Sequence, residues 1–262
     1  SDYIQVCRKM GISIVPPDIN AGEWDFSVRD GKICYALSAI KSIGRNVILA
    51  IVRERKENGA YTDLQNFLER MYGGELNKRA VENLIKSGAM DCIEGNRRQK
   101  MEVYSSIMDE LAREQKHSMT GQYSLMDFLE GPQKDDFKIS FPKVPEYEPG
   151  ALLAMEKEVL GIYISGHPLE ADRSLIEKNI TAVSSDFIQD EETGMARVRD
   201  QAIVTVAGMI AAKTVKTTKT NQMMAFLTLE DLRGTLEVIV FPKDYEKYRA
   251  ILSPDQKIFV KG

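Results

Sequence analysis

The hydrophobic pattern changes period along this chain. As far as residue 116 most apolar positions recur at helical spacing, whereas beyond residue 200 they alternate with polar ones. Residues 1–10 read as a helix, and Ile12–Val15 as a short strand stopped by Pro16-Pro17. Trp24–Val28 and Lys32–Ala36 alternate around Arg29-Asp30-Gly31, which predicts a hairpin turning on Asp-Gly. Further helices are expected over Thr62–Met71 (capped by Thr62), Leu76–Lys86 (capped by Asn77), Asn96–Glu114 and Ala151–Leu160. Gly161–Leu169 reads as a strand ending at a His-Pro turn, where His167 is a turn residue rather than a ligand or base. The final block predicts a strand from Ile203 to Met209, a basic loop over Lys213–Thr220, strands Met224–Glu230 and Thr235–Phe241, a helix Lys243–Leu252 and a strand Lys257–Lys261.

Leu37–Arg55 carries the most chemistry. LSAIKSIGRNVILAIVRER reads as a helix, a tight turn at Lys41-Ser42-Ile43-Gly44, and a second helix. That is the layout of a helix-hairpin-helix, a grip on the DNA backbone that ignores base sequence. Gly44 lets the turn expose backbone N–H groups where the second helix begins, and these donors, with the positive end of the helix dipole, suit a phosphate. Lys41 and Arg45 add charge beside them. Val47, Ile48, Ala50, Ile51 and Val52 form the buried face, with small Ala50 allowing close packing. The usual hairpin has a second Gly where this chain has Ser42, so an ordinary two-helix hairpin is the competing reading. Lys86-Ser87-Gly88-Ala89-Met90 is a second compact joint, either a degenerate copy of the first or plain helical packing.

Three strands as a meander, then a helix, then a strand, is the order of an OB-fold barrel without its fifth strand. Such a sheet binds single strands by stacking bases on aromatics and following the backbone with cations. Candidates are Phe226, Phe241, Lys213, Lys216, Lys219 and Arg233, with a core position as the alternative for Phe226. Between the helical and strand blocks, residues 117–150 are rich in Gly and Pro and read as a linker. Inside it Gly121–Leu129 is an apolar cluster without a core of its own, which either packs back or docks into another protein's groove.

Charge refines this picture. The formal net charge of −4 argues against a nucleic-acid partner. The distribution restores one: Lys and Arg outnumber Asp and Glu 12 to 8 over residues 37–100 and 9 to 6 over 201–262, while 101–200 carry 10 against 20. Cys7, Cys34 and Cys92 are too far apart for a CxxC pair, and the two histidines too isolated for a metal site, so a reduced cytoplasmic setting is expected. No apolar run approaches the roughly 18 residues that cross a membrane. The chain opens without Met and closes on an unpartnered strand, and it reads as an excised piece of a longer protein.

The blocks PPDINAGEWDF (16–26), YALSAIKSIG (35–44), LNKRAVENLIKSGAMD (76–91) and EVLGIYISGHPL (158–169), followed by the strands of 203–262, resemble in content and order the C-terminal half of the alpha subunits of bacterial replicative DNA polymerase III. The resemblance implies an α+β multidomain chain: the end of a fingers-like region at 1–36, a helix-hairpin-helix duplex-binding domain at 37–116, a linker with a clamp-binding peptide at 117–150, a helical connector at 151–200 and a truncated OB-fold at 201–262. It implies DNA contacts at Lys41, Ser42, Ile43, Gly44, Arg45, Lys86, Lys213, Lys216, Lys219, Phe226 and Arg233. It implies that Gln122, Leu125 and either Met126 or Phe128 dock into a sliding clamp; family peptides place an aromatic where this chain has Met126, and Phe128 fits a spacing one residue longer. Other replicase subunits are implied as partners. The family's catalytic acids, with their Mg2+, lie upstream in a palm domain, and this sequence has no Asp-x-Asp pair, so the piece is expected to be inactive alone and to hold no metal or other cofactor. Two alternatives stand beside this DNA- and clamp-binding reading: a protein-interaction scaffold without DNA affinity, favoured by the acidic middle, and a complete nuclease or transferase with an unrecognised site.

Overall fold

The computed structural model describes residues 6–7, 10–120, 140–189 and 194–262, with side chains in the helix ending at Thr120 described as far as Gln115. Most of the expected helix over residues 1–10, and all of Gly121–Leu129, lie outside these. The chain forms two compact units, Ser1–Gly166 and His167–Gly262. The 151–200 stretch expected as a connector is therefore divided between them.

The first unit opens on a three-stranded sheet ordered β1 (Ile14–Val15), β3 (Lys32–Cys34), β2 (Ser27–Arg29), with β1 parallel to β3. Asp30 and Gly31 both take positive φ (51° and 72°), the geometry that a tight two-residue hairpin requires. The expected first helix of the Leu37–Arg55 hairpin is a single 3-10 turn, Leu37–Ala39. Leu37 and Ile40 are both buried, so this turn is anchored by side chains rather than by helical length. Helices then follow: α1 (Arg45–Asn58), α2 (Leu64–Met71), α3 (Lys78–Lys86), α4 (Arg97–Thr120) and α5 (Pro149–Leu160). Helix α1 buries Val47, Ile48, Ile51 and Val52, while Ala50 is half-buried. Asp63, not Thr62, caps α2, accepting from the Asn66 N–H at 2.8 Å. Asn77 caps α3 as expected. At the start of α4, Asn96 and Gln99 cap reciprocally, each side chain accepting the other's backbone N–H (2.9 and 2.8 Å).

Buried charges finish what the apolar core starts. Arg55 projects from the last turn of α1 and donates to the carbonyls of Ile19 and Gly22, both at 2.9 Å. Lys100 is fully buried, and its ammonium donates to the carbonyls of Met90, Ile93 and Gly95. Those carbonyls lie in the irregular chain after α3, where no helix or sheet satisfies them. Burial holds the Lys100 ammonium below its ordinary pKa. The expected strand over Gly161–Leu169 is absent. The backbone N–H groups of Ile164 and Ser165 donate instead to the buried Glu156 carboxylate of α5 (3.2 and 3.1 Å), which removes them from sheet pairing.

The second unit holds a 3-10 turn at Glu170–Asp172, α6 (Arg173–Asn179), a 3-10 turn at Ser184–Phe187, and an antiparallel sheet ordered β6 (Thr235–Val240), β5 (Met223–Glu230), β4 (Thr205–Thr217), β7 (Lys257–Lys261), with α7 (Pro242–Tyr248) between β6 and β7. This is the strand order expected of an OB-fold. Strand β4 pairs with β7 through Thr205–Met209 and with β5 through Met209–Thr217, and its register shifts between Ile210 and Ala212. That bulge curls the strand into a half-barrel. A Cβ on Gly208 would lie 2.6 Å from Leu229 Cγ and 2.8 Å from the Glu230 carbonyl, so only glycine allows β5 to approach there. Val206, Ile210, Ala225, Leu227, Leu229, Tyr245 and Leu252 form the core.

Tyr61 gives a test of the first unit's packing. Its hydroxyl donates to the Ile51 carbonyl at 3.0 Å, and burial pushes its pKa up to about 12. The folded state thus resists Tyr61 ionisation that the unfolded chain undergoes near pH 10, so this contribution is complete below pH 10 and is lost as pH rises towards 12. The stability difference between the parent and Tyr61→Phe, measured by urea unfolding, is expected to shrink over that window by about 2 kcal/mol. A difference independent of pH would contradict it.

Candidate nucleic-acid interface

The hairpin turn is fixed from three sides. The Lys41 backbone N–H donates to the Val159 carbonyl (2.9 Å), its ammonium to the Glu158 carbonyl (2.8 Å), and its own carbonyl accepts from Asn83 of α3 (2.7 Å). Ser42 then takes φ +61°, the left-handed conformation that a glycine adopts without cost. Gly44 is the N-cap of α1 at φ −67°, an ordinary extended conformation, so the turn does not need glycine here for its backbone angles. Its lack of a side chain has another effect. A Cβ on Gly44 would meet nothing within 4 Å, and no side chain caps the helix. The start of α1 therefore carries no side-chain cap and is open at Gly44, unlike α2 and α3 with their Asp63 and Asn77 caps, although Asn46 in its first turn donates to Glu75 at 2.9 Å. Arg45 is exposed beside it, its guanidinium 5.5 Å from the centre of the Trp24 ring, and Ile43 is half-buried against the core.

Lys86 sits differently. Its ammonium meets Glu82 at 2.8 Å and Glu158 at 3.0 Å. The Glu82 hydrogen bond, outweighing burial, holds its pKa above the ordinary lysine value, with Glu158 adding to it. The joint that follows is packing: Gly88 takes φ +81° and the Arg97 guanidinium occupies the place where a Cβ would stand. Lys86 is thus kept in an internal pairing rather than presented beside an open helix start.

In the second unit the residues expected in one loop are distributed over both faces of the sheet. Strand β4 extends to Thr217, so Lys213 and Lys216 are strand residues; the loop itself is Thr218–Gln222 and holds exposed Lys219. Lys216 lies over the Phe226 ring at 4.6 Å, on the face opposite Ala225, Leu227 and Leu229. Phe226 is therefore half-exposed on the outer face and outside the barrel core. Lys213 pairs with Leu227 on the inner face and lies 5.2 Å over the Tyr245 ring. Arg233 is in the turn at the far end of β5, about 25 Å along the strand from Lys219. That turn is held by buried Asp231, which accepts from Ser184 N (2.6 Å) and Oγ (2.7 Å), Arg233 N (2.7 Å) and Gly234 N (2.8 Å). Its carboxylate is committed to structure. No group of three or more His, Cys, Asp or Glu side chains among the described residues is arranged to hold a metal ion.

The clamp-peptide residues Gln122, Leu125, Met126 and Phe128 lie outside the described residues. Sequence reasoning overlooked Lys243, Tyr245 and Arg249, which line a cleft with Phe241 at the end of the sheet where β5 begins and β6 gives way to α7. Their one signal was a basic-aromatic helix directly after the third strand of the meander.

Comparison with known proteins places this geometry. The profile described as a helix-hairpin-helix motif matches residues 11–100, and that of an OB-fold nucleic acid binding domain matches 204–262. Proteins named DNA polymerase III subunit alpha align over nearly the whole chain: 34% identity covering 100% of it in Borreliella burgdorferi, 34% covering 97% in Treponema pallidum, and 30% covering 99% in Escherichia coli. The aligned region is 22%, 21% and 22% of those proteins, so the chain spans about a fifth of their length.

The left-handed Ser42 is open to measurement. Ser42→Gly is expected to raise stability by about 0.5–1 kcal/mol, since strain relieved in the turn exceeds the entropy glycine adds to the unfolded chain. Ser42→Val should lower it. Urea unfolding of both variants checks this, and the reverse order would exclude the left-handed turn.

Proposed function

We infer that this chain, homologous along its whole length to a C-terminal stretch of the bacterial DNA polymerase III alpha subunits, is the part of such a polymerase that holds nucleic acid while its chemistry is done elsewhere. The observation that carries this reading is the uncapped, side-chain-free start of α1 flanked by Lys41 and Arg45, in a chain that also carries an OB sheet with Lys216 stacked on Phe226. The first arrangement offers backbone donors and two cations to a duplex phosphate and nothing to a base edge, so it grips without reading sequence. The second offers an aromatic surface on β5 and a cation on β4 to a single strand, beside the β5–β6 surface and the Thr218–Gln222 loop that OB-folds generally use.

Lys86 contributes only where a phosphate displaces Glu158. Gln122 and Leu125, with Met126 or Phe128 as anchor, hold a sliding clamp and so keep the polymerase on its template during chromosomal replication in the bacterial cytoplasm. Nucleotide joining needs carboxylates around two metal ions, and this chain supplies the grip and not those carboxylates. A protein-docking role without DNA affinity is the second reading, favoured by the 20 acidic against 10 basic residues over 101–200. None of the helices among the described residues is long and apolar enough to cross a membrane.

Titration of labelled duplex DNA over a salt series separates the two readings. Binding that ignores sequence and weakens steeply with salt is expected, and replacing both Lys41 and Arg45 with Ala should reduce the log–log salt slope by about 1.8. An unchanged slope would remove the hairpin from the interface, and no binding at low salt would leave the docking role. In a pull-down with a bacterial sliding clamp, Gln122→Ala with Leu125→Ala should abolish capture; undiminished capture would exclude the peptide.

A further inference from the structure

The end of the sheet where β5 begins carries a second feature. A cleft of about 630 Å³ opens between the start of β5 and α7, walled by Met223, Phe241 and Tyr245, with Lys243 and Arg249 also lining it. Phe241 is 61% exposed and Met223 51%, an unusual amount of apolar surface to leave in water side by side. Tyr245 is buried and carries the Lys213 ammonium over its ring. Among the described residues no carboxylate lies within ion-pair distance of Lys213, Lys243 or Arg249. Glu246 also lines the cleft, so the cations outnumber the acid there. Flat apolar walls beside unpaired cations match one ligand chemistry closely: a base to stack and a phosphate to pair.

We propose that this cleft binds a nucleotide of a single strand, its base against Phe241 and its phosphate between Lys243 and Arg249. The strand that crosses Phe226 and Lys216 on the outer face continues round the Thr218–Gln222 turn, past Lys219, and enters the cleft. The site then wraps one end of the sheet. Charge complementarity selects a polyanion over an apolar partner helix. This inference rests on the reading that the sheet holds single strands, and it assigns the strand's further path.

The test uses the whole 262-residue chain. Phe241→Trp places a fluorescent ring in the cleft, and the signal of Trp24, the chain's single natural tryptophan, is subtracted with the parent. Oligothymidylates of about 4 and about 12 nucleotides bracket the span of an OB-fold site. The longer one should quench the added indole saturably. Lys243→Ala with Arg249→Ala should abolish that quenching and lower the salt slope for the longer oligonucleotide by about 1.4, leaving the shorter one, held by the outer face, little changed. Lys216→Ala with Phe226→Ala should weaken both lengths. If the longer oligonucleotide binds without quenching, and its salt slope responds only to Lys216, the cleft assignment is overturned and the sheet assignment stands. If neither length binds the parent chain, both fall. Quenching by an oligoglutamate peptide and not by the oligonucleotide would assign the cleft to an acidic protein instead.

Discussion

The first unit depends on one buried ion pair. Arg97, at the start of α4, reaches Glu156 of α5 at 3.3 Å, and Glu156 is fully buried. Two charges out of water are tolerated only when every remaining valence is met, and removing one partner of such a pair typically costs about 3–5 kcal/mol. Here the remaining valences are met. The Arg97 guanidinium also holds Asp91 at 2.7 Å and the Lys86 carbonyl at 3.2 Å, while Glu156 accepts the backbone N–H groups of Ile164 and Ser165. The pair thereby fixes where α5 ends, and that end supplies the Glu158 and Val159 carbonyls that moor Lys41. The posture of the hairpin turn follows from a contact made by residues far from it in sequence.

Both units tie up most of their structural cations and leave a few outside ion pairs. In the first, Arg55, Arg70, Lys78, Lys86 and Arg97 are each paired with a carboxylate, while at the hairpin turn Lys41 and Arg45 have no carboxylate partner among the described residues. In the second, Arg173, Arg197 and Lys257 are paired likewise, whereas Lys213 and Lys216 lie over aromatic rings. A chain of net charge −4 thus presents positive charge at a few chosen places, where the affinity for a polyanion concentrates and becomes sensitive to salt. The sheet contributes geometry to this. The bulge at Ile210/Ala212 and the bare Cα of Gly208 let β4 curl, and the curl gives the sheet an inner face for Tyr245 and an outer one for Phe226.

Much of this was legible from residue order alone, because it depends on local physics. Asp30-Gly31 turns a hairpin since both positions need positive φ, Asn77 caps since its side chain replaces a missing acceptor, and the meander–helix–strand order follows from period and turn residues. The turn at Lys41–Gly44 was also legible, down to the strain at Ser42. What escaped depends on partners distant in sequence. Leu37–Ile40 has the apolar spacing of a helix, yet tertiary burial stops it at a 3-10 turn. Gly161–Leu169 has the composition of a strand, but Glu156 takes its N–H groups. Lys86 has Glu82 one helical turn away, but Glu158, 72 residues on, is the second partner that the residue order does not show. The sequence by itself determined the modules and the residue types that suit a phosphate. Only the tertiary structure decided which cations stay available and which face of the sheet each one joins, because ion pairing and strand register are set by what packs against a side chain and not by its neighbours in the chain.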